Sequence, residues 1–112
     1  MWTPHRDFML HTTSDAMDSC SNLWSARFDN HADDRHHVKS FATGLAIACS
    51  KIARQFARFP QATIPNGISD AIEDIRYFGT PDTTHDIRES ELHGLHDSLQ
   101  FVYDKIALVE TY

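Results

Sequence analysis

The chain is short of the residues that punctuate sheets and staple small secreted domains. Its 112 residues include only four glycines, four prolines and two cysteines. So few turn-formers, with few runs that alternate Val, Ile or Thr with polar residues, argue against a sheet architecture. The same glycines are too scattered to cradle a phosphate, and no G-x-S-x-G, P-loop or G-x-G-x-x-G run occurs, so no cofactor is expected. Cys20 and Cys49 stand 29 residues apart, outside any CxxC or zinc-type spacing. Both fall on expected apolar helix faces and neither has a base beside it in sequence, which predicts buried free thiols in a reducing compartment. No apolar run approaches the roughly 18 residues that span a bilayer. The opening MWTPHRDFMLHTT lacks the charged, apolar, small order of a secretory signal. These absences predict a soluble, cytoplasmic protein with no membrane contact.

Acidic residues are missing from one whole stretch. Residues 35–69 carry Arg35, Lys39, Lys51, Arg54 and Arg58 and no acid, while the rest holds all sixteen acids against five bases. The net charge of −6 is therefore unevenly spread. One reading is internal complementarity, a basic helix among acidic ones. The other is a basic surface stripe, Lys51-Arg54-Arg58, that meets an acidic partner. Overall acidity speaks against direct nucleic-acid binding, which depends on neutralising phosphates. A helix-turn-helix is also not indicated, because a proline-rich loop and an acidic helix follow the basic one.

What is present is helical periodicity. Leu92, Leu95, Leu99, Val102, Ile106 and Val109 recur at spacings of 3, 4, 3, 4 and 3, an a/d seam that needs covering by other helices. Prolines and glycines cut the remainder into three further segments. The first runs from Thr3-Pro4 to about Asn30, with Met17, Cys20, Trp24 and Phe28 inward and Leu10 and Thr13 extending the stripe. Its Thr12-Thr13-Ser14-Asp15 cluster offers a second possible start, with Ser14 as cap. The second, Val38 to Phe59, sets a bulky stripe (Val38, Phe41, Leu45, Ala48, Ile52, Phe56, Phe59) beside a small one of Ala42, Ala46, Cys49, Ala53 and Ala57. Neighbours can approach closely along the small side, so this helix is expected at the bundle centre, covering the C-terminal seam. The third is short, Gly67 to Phe78, with Gly79 as a C′ residue. The fourth begins near Pro81 to Thr84 and runs almost to Tyr112. One domain over residues 1–112 follows: an all-α, compact antiparallel bundle of three long helices and one short helix.

With Leu92 as a and Leu95 as d, Phe101 and Leu108 both fall on c, more than about 100° from the seam centre. Either another helix of the chain covers this second stripe, or it is a contact surface. This is the leading functional expectation: a non-enzymatic interaction module, acting as adaptor, regulator or inhibitor of a protein partner and self-associating as a homodimer. Phe101, Leu108 and Tyr112 are its contact residues, and Lys51, Arg54 and Arg58 form a separate electrostatic patch.

Eight histidines make metal binding a second expectation. Glu89, His93 and His96 lie at i, i+4 and i+7 on one helix face and would supply half of a site. Asp33, Asp34, His36 and His37 form a second cluster in the first loop. No HExxH or paired Glu-x-x-His units accompany them. A third expectation is nucleolytic. Arg6-Asp7-Phe8-Met9-Leu10-His11 and Arg88-Glu89-Ser90-Glu91-Leu92-His93 resemble the Arg, four to six residues, His pattern of HEPN-class RNases. The resemblance implies an Arg that stabilises phosphate and a His that acts as base. It covers six residues at a time, and neither His is followed two residues later by the Tyr some members carry.

Overall fold

The computed structural model describes residues 6–28, 38–58 and 67–108, which form five helices and no strand. They are α1 (Arg6–Phe28), α2 (Val38–Phe56), α3 (Ile68–Tyr77), α4 (Pro81–His85) and α5 (Glu89–Ala107). The chain is an all-α bundle, and no helix among the described residues is long and apolar enough to cross a membrane.

The heptad seam is the inner face of α5. Leu92, Leu95, Leu99, Val102 and Ile106 are all buried, while Val109 lies outside the described residues. Each such side chain removed from water contributes about 1.5–3 kcal/mol before chain entropy is counted. The helices that cover the seam most closely are α1 and α3, not α2, which packs against α1, α3 and α4. The central position expected for α2 holds, but it lies diagonally across the core from α5. Trp24 reaches Glu89 and Arg27 reaches Ile87, so the end of α1 meets the start of α5 and the pair is antiparallel. Likewise Gly67 meets Phe101 and Asp74 meets Ser98, so α3 also runs antiparallel to α5.

In α1 the inward face differs from the expected stripe. Met9, Thr13, Ala16, Cys20 and Leu23 are its buried line, and Leu10, Met17, Trp24 and Phe28 flank the core half-buried. The face is turned by less than one residue because small side chains let α2 come close, leaving the bulky ones at the margins. Gly44 illustrates the approach: a Cβ there would lie 3.9 Å from Ser19 Oγ. The helix does not restart at Ser14. Thr13 donates its hydroxyl to the Met9 carbonyl at 2.6 Å, so a buried polar group is satisfied within the helix and the turn continues.

The fourth expected segment is two helices. Residues 86–88 break it, with Ile87 buried between one turn of α4 and the start of α5. Arg27 of α1 donates to the Ile87 carbonyl, holding the break in place. Glu91 then accepts from the Arg88 N–H at 3.0 Å, which caps the new helix. Thr83 Oγ1 supports the preceding turn, 2.9 Å from the Tyr77 carbonyl oxygen and 3.0 Å from Thr80 Oγ1. Gly79 is not a left-handed cap, since Gly67 is the positive-φ residue among those described. Its role is space: a Cβ on Gly79 would sit 3.1 Å from the Arg76 carbonyl oxygen and 3.5 Å from Ser50 Cα.

Candidate functional site

The outer face of α5 carries the second apolar stripe. Phe101 is 38% exposed and Leu108 76% exposed, on a helix whose inner face is fully buried. Phe101 is held rather than loose. Its Cζ would stand 3.1 Å from a Cβ at Gly67, and Lys105 Nζ lies 5.4 Å from its ring centroid. The chain therefore covers one side of Phe101 with the start of α3 and leaves the other to solvent. Beside it, Gly67, Asp70, Ala71, Asp74, Asp97 and Ser98 complete a groove of about 360 Å³ between α3 and α5. Ser98 donates to Asp74 across that groove at 3.1 Å. Tyr112 lies outside the described residues.

Lys51, Arg54 and Arg58 are exposed on α2 and the turn after it, as their spacing predicts. Arg54 donates to Ser50 Oγ at 3.1 Å, and none of the three pairs with a carboxylate among the described residues. A fourth cation joins them from another helix. Arg76 of α3 lines the same groove as Ser50, Ala53, Arg54, Ala57, Gly79 and Thr80, with a volume of about 290 Å³. Its ion pair to Glu73 at 3.7 Å is solvent-exposed on both sides and so contributes little. Spacing within α2 gives no sign of Arg76; only the turn at Gly79, pressed against Ser50, brings it there.

Glu89, His93 and His96 share the first turns of α5 but do not converge as a ligand set. Glu89 Oε1 accepts from Trp24 Nε1 at 3.2 Å and stands 3.8 Å from His93 Nε2. His93 and His96 rim a groove of about 300 Å³ with Cys20, Ser21, Trp24 and Leu92. Among the described residues no three His, Cys, Asp or Glu side chains are grouped to hold a metal ion. The cluster of Asp33, Asp34, His36 and His37 lies outside them.

Of the two Arg–His stretches, His11 is exposed and 3.4 Å from Asp15, and the Arg6 side chain is outside the described set. Arg88 and His93 are both exposed at the start of α5. Cys20 and Cys49 are buried and unbridged. Burial pushes the Cys49 thiol up to about 12; burial, then proximity to Cys49, pushes Cys20 higher still. Neither thiol is therefore a thiolate nucleophile at neutral pH. Compared with protein-family models, with curated proteins and with solved structures, the chain matches none.

Proposed function

We propose that the protein is a non-enzymatic protein-interaction module that associates through the outer face of α5, with a second copy as its first partner. The observation that carries this reading is Leu108 at 76% exposure, one heptad from the partly exposed Phe101, on a helix already satisfied on its inner face. Apolar side chains held in place at the surface lose little conformational freedom on docking, and pre-organised contacts bind best. Phe101 is of that kind, braced between Gly67 and Lys105. Its ring and the Leu108 side chain supply an apolar centre, and Asp97, Asp104 and Lys105 supply a charged rim.

The test is solution mass by light scattering over a concentration series. The wild type should rise above single-chain mass. Phe101→Glu combined with Leu108→Glu should return it to single-chain mass while circular dichroism shows the helical fold intact, and Leu108→Glu alone, at the more exposed position, should weaken association with an unchanged thermal melt. A wild type that stays at single-chain mass throughout, or a double variant that associates as before, overturns the reading.

A further inference from the structure

Two surfaces of opposite sign flank α3. On one flank Asp70 and Asp74 face α5 and line a groove with Asp97 and Phe101. On the other, Arg76 lines the groove against α2 with Arg54, and Lys51 and Arg58 are exposed along the same stretch. None of the described residues lining that second groove is acidic. Among the described residues, Arg54 of the acid-free stretch and Arg76 of α3 thus meet in one groove that carries no acid.

We infer that the chain associates head to tail, the acidic face around Phe101 in one copy docking on the basic groove of the next. This rests on the reading of α5 as an association face and names what that face meets. Charge selects the arrangement. Two copies joined through α5 alone would bring Asp70, Asp74 and Asp97 of each into opposition, a like-charge contact that proteins use to reject partners. The basic groove offers instead two cations, Arg54 and Arg76, with Ala53 and Ala57 as an apolar floor for Leu108, and Lys51 and Arg58 are exposed on the same helix and the turn after it. Because the docking surfaces lie at different places on the molecule, the contact is heterologous. It repeats into a ring or an open chain instead of closing as a two-fold dimer.

A mixing experiment tests this with the full chain. One variant carries Asp70→Asn, Asp74→Asn and Asp97→Asn; the other carries Lys51→Gln, Arg54→Gln and Arg76→Gln. All six positions are exposed, so both variants should fold, which circular dichroism checks. At low salt the wild type should grow in mass beyond a dimer, and added salt should reverse this. Each variant alone should stay at single-chain mass. Mixed together they should form a one-to-one complex, since each keeps the face the other lacks. If the wild type instead forms a closed dimer that Phe101→Glu with Leu108→Glu abolishes and the basic-face variant leaves intact, the head-to-tail inference fails while α5 association stands. A wild type at single-chain mass at low salt defeats both.

Discussion

Gly67 is the residue at which backbone and surface are most tightly coupled. Its φ of +91° suits glycine alone, and a methyl group there would meet the Phe101 ring at 3.1 Å. Gly67→Ala should therefore lower stability by about 1–2 kcal/mol. The denaturant midpoint reads this, and a midpoint equal to wild type contradicts it. The buried thiols give a second residue-scale expectation. The ordinary thiol value is 9.0 and Cys49 is held up at about 12, so the folded state keeps a proton that the unfolded chain releases first. The thiol contribution to stability is whole below pH 9 and drains away as pH climbs toward 12. Wild type should lose more thermal stability across that window than Cys49→Ala, and equal losses would contradict the assignment. Burial of the thiols was legible from spacing, because both fall on helical stripes. The left-handed turn at Gly67 was not, since nothing local distinguishes it from the other glycines.

Periodicity is legible where one helix repeats it, and obscure where packing depends on a neighbour. In α5 the a/d seam predicts the buried residues one by one, and it equally predicts that Phe101 and Leu108 point away. In α1 the inward line is half polar or small, Thr13, Ala16 and Cys20, so bulk misplaces the face. The break at 86–88 hides in a stretch, PDTTHDIRE, that reads equally well as the start of one long helix. What decides it is Arg27 of α1, which donates to the Ile87 carbonyl from sixty residues away. Removing that donor leaves a carbonyl beside buried Ile87 without its charged partner, and such bonds are worth about 1.5–3 kcal/mol. Arg27→Met should cost stability in that range and speed amide exchange over residues 87–92. Unchanged exchange there would show that the break is held by other contacts.

At the scale of the molecule, α3 separates an acidic, apolar-centred surface from a basic one. The linear charge map foreshadows this, because residues 35–69 contain no acid. It does not show that Arg76, from an acidic helix, completes the basic groove, or that Asp70 and Asp74 turn to the opposite side. Those placements follow from the helical period of α3 once its apolar residues, Ile68, Ala71, Ile72 and Ile75, are fixed in the core. For the metal expectation, no three His, Cys, Asp or Glu side chains are grouped to hold an ion among the described residues, and Glu89 accepts from Trp24 of a different helix. The proposed contact surface is thus what remains after the core and the inter-helix bonds are satisfied. The most direct measurement is an isotope-filtered NOE spectrum of an equal mixture of labelled and unlabelled chains. The account predicts intermolecular contacts from the Leu108 methyl groups and the Phe101 ring; associated protein that shows none from either residue would contradict it.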